Sequence, residues 1–302
     1  MTSTTFICCL LGYISIEFLG DYGGTVFVLI PFLIGFLPAY FIGMKREITK
    51  RESYIVGFQT LGLMCLALLI LAFEGIICIV MASPILMIMV WLGALLGYYL
   101  NKGKFASTNN IILILLFSSI AAMSFDYINE TKQLIPVKTA IQIDAPIETV
   151  WENVVTFGDI EEPTEWLFKT GIAYPTHATI KGNGVGAIRY CNFTTGSFVE
   201  PITVWNEPYL LAFDVKEQPI PMHEFNPFWE IHPPHLDGYF KSHKGQFELT
   251  KISDNQTLLE GTTWYNVDIQ PVFYWQIWSN FILHNIHERV LGHIEKASVE
   301  SN

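Results

Sequence analysis

The densest group of chemically competent side chains lies in the segment MHEFNPFWEIHPPHLD, residues 222–237. Within it stand six potential metal ligands: His223, Glu224, Glu230, His232, His235 and Asp237. Zinc takes three or four such nitrogen and oxygen ligands. The spacing matches no standard metal signature, however, and the prolines at 227, 233 and 234 make an exposed lid equally natural. We therefore predict no metal and no other cofactor; His223, His232, His235 and Asp237 are the side chains that would ligate one.

Two further histidines, His284 and His287, stand near the end of the chain. Their spacing of three places them on one face of a helix, beside an apolar stripe. A neutral imidazole can serve as a general base or orient a ligand carbonyl. His284 and His287 are therefore the candidate catalytic residues, and the alternative is a pair of satisfied groove residues.

Three charged residues, Arg189, Glu200 and Glu260, fall within predicted strands. A shift of one residue in a strand decides whether such a side chain faces a cavity or solvent. If buried, Arg189 and Glu200 would form an ion pair at a cavity wall; the apolar neighbours of Glu200 between 198 and 202 favour that interpretation. The sequence contains no Ser-His-Asp signature, phosphate loop or glycine-rich dinucleotide turn.

The elements that must position these residues follow from hydrophobic periodicity. Residues 137–143 alternate as a strand, and an amphipathic helix follows from about 147. Turn residues then separate six candidate strands, at 173–181, 185–193, 198–206, 209–216, 239–251 and 257–268. A long helix over 271–296 ends the series. The pattern predicts an α+β domain in which a curved antiparallel sheet wraps a helix.

The stretch IQIDAPIETVWENVVTFGDIEEPTEW, with Ala145-Pro146 before the helix and Val150-Trp151 within it, resembles START-like, polyketide cyclase/dehydrase-type proteins of the helix-grip (SRPBCC) superfamily. The later stretches GVGAIRYCNF, LLAFDV, GQFELT and LEGTTWY resemble successive strands of that superfamily. The resemblance covers residues 137–298. It implies the fold more than an activity, because the superfamily holds lipid carriers, hormone receptors, cyclases and hydroxylase domains on one scaffold.

The resemblance also implies a cavity between the concave sheet and the C-terminal helix. The predicted ligand-binding residues are Phe198, Glu200, Phe213, Trp264, Trp275, Trp278, Phe281, Arg189 and Glu260. We expect the cavity to bind a hydrophobic small molecule or lipid. The alternatives are a polyketide cyclase/dehydrase-like or hydrolytic enzyme with a histidine base, and a sensor or interaction module with a closed pocket; binding is favoured over catalysis.

Composition divides the chain into two unlike halves. Of its 302 residues, 51% are hydrophobic and only 15% charged, which is too apolar for a single soluble domain. Residues 1–136 hold as many basic as acidic side chains, so the net charge of −11 belongs to the remainder, which also holds all eight histidines. This balance excludes a basic nucleic-acid binder.

The first half predicts an all-α transmembrane bundle. Charge-free or nearly charge-free runs mark five spans, at 5–20, 25–44, 54–73, 75–100 and 110–125, with four as the fallback because Glu17 interrupts the first. The predicted organisation is a membrane region over 1–125, a linker over 126–136, the START-like domain over 137–298 and a tail over 299–302. Gly35, Gly43, Gly93 and Gly97 are interpreted as helix-packing contacts, and Glu74 as an interfacial carboxylate in contact with water.

Orientation follows from the basic clusters between spans. Residues 45–51 and 102–104 hold these clusters, so we expect both loops in the cytoplasm. The span at 110–125 would then carry the chain outward, and the START-like domain would lie outside the cytoplasm. The chain as a whole would be a multi-pass protein of the cell membrane. The predicted partners are the bilayer and a hydrophobic small molecule or lipid; no nucleic acid is expected, and the sequence names no protein partner.

Overall fold

The computed structural model describes residues 23–103 and 134–301. The predicted spans at 5–20 and 110–125, and nearly all of the predicted linker, lie outside the described residues. The described chain forms two compact units. The first comprises 23–103 together with Glu224–Pro233 and Asp268–Trp275, and the second comprises 134–223, Pro234–Val267 and 276–301. Two stretches of the predicted START-like domain thus belong to the first unit.

The first unit contains three long helices. A π-helical turn at Thr25–Leu29 leads into α1 (Ile30–Lys45), which is followed by α2 (Lys50–Ile70) and α3 (Ile76–Gly103). By length and composition each is able to cross a membrane, and the three match the predicted spans at 25–44, 54–73 and 75–100. Pro84 lies inside α3 without interrupting it.

Close backbone approach joins α1 to α3 through glycine. A Cβ atom added to Gly35 would lie 2.1 Å from the carbonyl oxygen of Val90, and one added to Gly93 would lie 2.0 Å from that of Phe32. One added to Gly97 would lie 2.8 Å from the carbonyl oxygen of Phe36, and one added to Gly43 would lie 2.4 Å from the side-chain nitrogen of Asn101 on α3. The prediction that these four glycines are helix-packing contacts is confirmed.

The interpretation of Glu74 as a carboxylate in contact with water was wrong. Its Oε2 atom is buried in the first unit. Burial, and to a smaller extent the nearby charge of Glu224, together raise the pKa of Glu74 to about 8. Glu224 belongs to a segment that folds onto this turn from far along the chain, which no local hydropathy pattern reveals.

The second unit is a seven-stranded antiparallel sheet with two helices. The strands are β1 (Ile135–Ile143), β2 (Pro175–Lys181), β3 (Ile188–Phe193), β4 (Gly196–Asn206), β5 (Leu210–Asp214), β6 (Phe240–Ser253) and β7 (Gln256–Val267). Helix α4 (Ile147–Val155) follows β1, and helix α5 (Val272–Glu300) ends the series, with its residues from 276 onward in this unit. The order across the sheet is β1-β7-β6-β5-β4-β3-β2.

All seven predicted strands of this half are present, as are the helices predicted from 147 and over 271–296, with boundaries shifted by a few residues. The segment DIEEPTEWLF, for which the sequence also predicts a broken helix, forms none before the short 3-10 turn at Phe168–Thr170. Along β1, Val137, Thr139 and Ile143 are buried while their neighbours are exposed, as the alternating pattern predicted. The core joins α4, through residues such as Val150 and Trp151, to the inner face of the sheet. A curved antiparallel sheet with a long C-terminal helix fits the helix-grip architecture.

Candidate ligand-binding cavity

A cavity of about 120 Å³ lies between the inner face of the sheet and helix α5. Five phenylalanines contribute to its apolar wall: Phe193, Phe198, Phe213, Phe240 and Phe247. From α5 it is lined by residues three or four positions apart, which form one helical face: Ile282, Leu283, Ile286, His287, Val290 and Leu291. The wall is mostly apolar, with a small number of polar groups.

Arg189 is the most unusual of these polar groups, because its side chain is only 1% exposed. It extends from β3, where Glu200 of β4 is its direct partner in the register, and Nη1 donates to the Glu200 carboxylate. Nε donates to the carbonyl of Val155 at 3.3 Å. The remaining donor, Nη2, is buried and has no hydrogen-bond partner among the described residues.

Aromatic rings surround this guanidinium. Its central carbon lies 5.5 Å from the ring centroid of Phe157, 5.6 Å from that of Phe213 and 5.5 Å from that of Phe247. Such distances permit cation–π attraction, which strengthens when water is excluded. The rings therefore compensate part of the cost of burying the charge, but they offer Nη2 no oxygen acceptor.

The neighbours of Arg189 are also shaped by burial. Burial raises the pKa of Glu200, an effect that the positive charge of Arg189 opposes. Burial likewise raises the pKa of the Cys191 thiol to about 12, so the thiol is neutral. A neutral thiol sulfur is only a weak acceptor, and it does not satisfy a guanidinium donor.

His287 also lines the cavity, and threonine hydroxyls occupy both of its ring nitrogens. Its Nε2 lies 2.8 Å from Oγ1 of Thr263, and its Nδ1 lies 3.1 Å from Oγ1 of Thr139. Burial lowers the pKa of His287 to about 4, with a smaller contribution from His284. The imidazole is therefore neutral at physiological pH and already hydrogen-bonded on both sides.

His284 does not line the cavity. Its Nδ1 lies 2.8 Å from Thr139 Oγ1, and its Nε2 lies 3.1 Å from the carboxylate of Glu288, in a half-exposed position. The two candidate catalytic histidines thus share one threonine but face different surroundings. Only His287 is placed to affect a molecule in the cavity.

The predicted ligand-binding residues divide into two groups. Phe198, Glu200, Phe213 and Arg189 line the cavity. Glu260 and Trp264 alternate along β7 with the inward-facing Gly261 and Tyr265, so they lie on the other face of the sheet. There Glu260 pairs with Lys138 at 2.7 Å, and the Trp264 ring lies 4.6 Å from the ammonium of Lys244.

The three predicted aromatic residues of α5 lie outside the cavity as well. Trp275 belongs to the first unit, where its ring contacts Phe27 with a centroid separation of 4.9 Å. Phe281 is 40% exposed and stacks on Trp166, and Trp278 is half-buried and does not line the cavity. Trp275 and Trp278 share the spacing of the 282, 286 and 290 stripe, but they precede Ile282, the first residue of the helix that lines the cavity. Phe281 lies off that stripe, which is the sequence signal for the lining residues.

The candidate metal ligands of 222–237 do not come together as a site. Within the second unit, His223, His235 and Asp237 do not place their ligand atoms within 4.8 Å of one another. His232 falls in the first unit, as does most of the segment between them. The expectation that the chain binds no metal stays a prediction.

The chain that follows β5 was missed as part of the site. Residues between 215 and 221 line the cavity, and Gln218 attaches this stretch to β6. Its Nε2 donates to the carbonyl of Phe240 at 2.7 Å, and its Oε1 accepts from the amide of Ser242 at 2.9 Å. An irregular, proline-containing stretch has no periodic signal from which this role follows.

Comparison with known proteins gives structural matches alone. No protein-family model matches the chain, and no curated protein matches it either. Norcoclaurine synthase from Thalictrum flavum, solved with dopamine and hydroxybenzaldehyde, is 13% identical over 56% of this chain and 89% of its own, with a TM-score of 0.37.

Two further matches have the same character. A START superfamily protein from Mycobacterium smegmatis is 11% identical over 55% of this chain and 99% of its own, with a TM-score of 0.36. The protein XoxI from Bacillus cereus is 14% identical over 54% of this chain and 95% of its own, with a TM-score of 0.35. At such values the matches say nothing about what this chain binds, and the helix-grip description rests on the strand order and the helix given above.

Proposed function

We propose that this chain is a membrane protein whose sheet–helix cavity binds a small hydrophobic molecule carrying one hydrogen-bond acceptor. The observation that carries the proposal is the buried Nη2 donor of Arg189 at the wall of an apolar cavity. A buried donor without a partner costs about 1–3 kcal/mol, and an acceptor on a bound molecule removes that cost. Apolar lining with a few polar groups is the usual character of small-molecule sites.

The charge of the site favours a neutral acceptor over an anion. Arg189 is already paired with Glu200, so the two charges compensate each other. An added carboxylate would bring a second negative charge next to Glu200 in a place that water does not reach. A carbonyl, ether or hydroxyl oxygen satisfies Nη2 without that penalty.

The size of the cavity sets the scale of the ligand. An engineered apolar cavity of about 150 Å³ admits benzene, and the cavity here has about 120 Å³. The volume therefore accommodates a group of roughly one ring. A lipid chain or a larger molecule requires lining side chains, or the stretch between 215 and 221, to move.

Binding is favoured over catalysis by the contacts of His287. A general base needs a lone pair directed at the proton it removes, and both ring nitrogens of His287 already contact threonine hydroxyls. We propose that His287 shapes the polar wall rather than accepting a proton. An enzyme of cyclase/dehydrase or hydrolytic type is the alternative.

The experiment compares two identical substitutions on one helix. The full chain is extracted with its surrounding lipids in polymer nanodiscs, and bound small molecules are identified by mass spectrometry. Ile286→Trp fills the cavity, whereas Ile277→Trp alters a residue that is 65% exposed and outside it. We expect a co-purified compound whose yield falls by about tenfold in Ile286→Trp and stays unchanged in Ile277→Trp.

Equal yields from both variants would contradict the proposal. Melting temperatures show whether Ile286→Trp folds. If it does not, Gly261→Ala gives a milder filling, because its new methyl group would meet Leu291 at an ordinary contact distance of 3.6 Å.

The membrane attachment and its orientation are part of the proposal. The three long apolar helices support it, with the basic residues between α1 and α2 and at the end of α3 on the cytoplasmic side. A reporter fused after Asn302 is then expected to be active outside the cytoplasm. Activity restricted to the cytoplasm would overturn this orientation.

A further inference from the structure

The segment Glu224–Pro233, which we name the cap segment, contacts the turn between α2 and α3 within the first unit. Nδ2 of Asn226 donates to the carbonyl oxygen of Leu69 at 3.0 Å and to that of Glu74 at 3.1 Å. Nε1 of Trp229 donates to the carbonyl oxygen of Ile70 at 2.8 Å. The last carbonyl groups of a helix have no partners within the helix, and here the cap segment supplies them.

The same segment also satisfies the start of α3. The amide of Ile76 donates to the carbonyl oxygen of Phe225 at 2.8 Å, and the amide of Cys78 donates to Oε1 of Glu224 at 2.9 Å. One short segment thus provides acceptors for the first turn of one helix and donors for the last turn of its neighbour. Its backbone is fixed against both helix ends.

Gly75 permits this close contact. A Cβ atom at position 75 would lie 1.9 Å from the Glu224 carboxylate, so any other residue would push the carboxylate away. Burial raises the pKa of Glu224. The Glu224 carboxylate is therefore directed into the unit, and Glu230 is the exposed acidic residue of the segment.

Three aromatic rings are the largest exposed side chains of this segment. Phe225, Phe228 and Trp229 are each more than half exposed, although their backbone is held in place. Leu71 and Phe73 in the turn itself are also exposed, as is Phe273 of the same unit. Neither the cap segment nor the turn contains a lysine or an arginine.

We infer that Phe225, Phe228 and Trp229 form a membrane-interface anchor that lies among lipid headgroups where α2 and α3 end. Aromatic rings, tryptophan above all, are enriched at this level of membrane proteins because one side of the ring is apolar and the edge is polar. Backbone groups at the ends of spans need partners there, and the cap segment supplies them. The inference rests on the proposed membrane attachment and is independent of any ligand in the cavity.

The occupant of this surface is lipid, as its continuity with the helices indicates. The cap segment that carries the rings is hydrogen-bonded to the end of α2, and other exposed residues of that helix, such as Leu66 and Ile70, are apolar. The lysine and arginine residues lie at the opposite end of the helices from the rings. Anionic lipid attracts basic residues, so it would gather at that opposite end and not around the rings. The chemistry fits neutral headgroups and the upper acyl chains.

Depth-resolved quenching of tryptophan fluorescence tests the inference. The full chain is reconstituted in phosphatidylcholine vesicles whose acyl chains carry bromine either near the headgroup or near the methyl end. Trp229→Phe is compared with Trp91→Phe, since Trp91 is 44% exposed near the middle of α3 and serves as the matched deep control.

We expect Trp229→Phe to reduce quenching by the shallow bromine at least about twofold more than quenching by the deep bromine, and Trp91→Phe to show the reverse. If Trp91 is quenched and Trp229 is not, the anchor is disproved while the membrane attachment stands. If neither tryptophan is quenched, the anchor and the membrane attachment are both disproved. Neither result bears on ligand binding in the cavity.

Discussion

Two apolar interfaces of this molecule are built on opposite principles. Between α1 and α3, glycine lets the backbones meet, and a single added carbon at Gly93 would lie 2.0 Å from a carbonyl oxygen. Between the sheet and α5, large rings such as Phe213 and Phe247 hold the layers apart and leave a cavity of about 120 Å³. Both interfaces bury apolar side chains, but only the second leaves space for a small molecule.

The difference follows from how side chains fill space. Small residues allow helices to approach until their backbones contact each other, and every atom then has neighbours on all sides. Large rings from a curved sheet cannot interdigitate completely with a straight helix, and the atoms around a void lose their dispersion partners. An interface that keeps a void at this cost, with a buried Arg189 at its wall, is suited to a ligand rather than to maximal stability.

The largest expected effect is at the close interface. Gly93→Leu places a side chain where the backbone of Phe32 already lies, so α1 and α3 must separate. We expect loss of the folded protein, because overpacking that moves backbone exceeds the usual cost of about 1–3 kcal/mol. Monodisperse yield and melting temperature measure it.

Gly62→Leu is the control for this change. It lies in α2, and no atom would lie within 4 Å of its added Cβ. A similar loss in both variants would show that leucine harms any of these helices, and the contrast drawn between the two interfaces would fail.

The next effect concerns the charge at the cavity wall. Glu200→Leu leaves the buried Arg189 without its partner, and we expect a loss of about 3–5 kcal/mol in the free energy of unfolding. Because the charge itself causes the loss, adding Arg189→Met is expected to recover most of it. Chemical unfolding of the three variants measures the coupling.

Glu260→Leu serves as the matched control in the same sheet. It breaks the more exposed pair with Lys138, for which we expect a much smaller loss because solvent screens the two charges. Equal losses from the two glutamate variants would show that the Arg189–Glu200 pair is no more protected from water than a surface pair.

The smallest effect is the pH dependence that His287 contributes. Its pKa is lowered to about 4 in the folded chain, so between this value and 6.5 the unfolded chain binds more protons. The stability that the neutral imidazole of His287 contributes is therefore fully present above pH 6.5 and is lost as the pH falls. The loss in the free energy of unfolding reaches about 3 kcal/mol at pH 4.

His287→Gln keeps a donor and an acceptor but does not titrate. Its melting temperature is expected to fall less than that of the wild type between pH 7 and pH 4. His284→Gln, at the half-exposed partner, is the control and is expected to follow the wild type. A wild-type slope in His287→Gln would show that the imidazole is not buried among its threonines.

Most elements were predictable because their patterns are local. The alternation along β1, the stripe on α5 and the charge-free runs of α1 to α3 each reflect a face that must be buried or a segment that must avoid water. Burial of Glu200 was predictable for the same reason, since its neighbours are apolar. Glu260 and Trp264 were assigned to the wrong face of β7, because a shift of one residue exchanges the two faces of a strand. Gly261 has no side chain, so the hydrophobic alternation that would mark the inward face is weak there.

The strands and helices could be predicted without a structure because each depends on neighbours a few residues away, and the division of charge is a matter of composition. The contact of Trp275 with Phe27 and the capping of α3 by Glu224 could be seen only in the tertiary structure. The same is true of Nη2 of Arg189, which has no hydrogen-bond partner in the described parts of the chain. These contacts join residues far apart in the chain. Their energies depend on how whole elements pack, and no periodicity within one element carries that information.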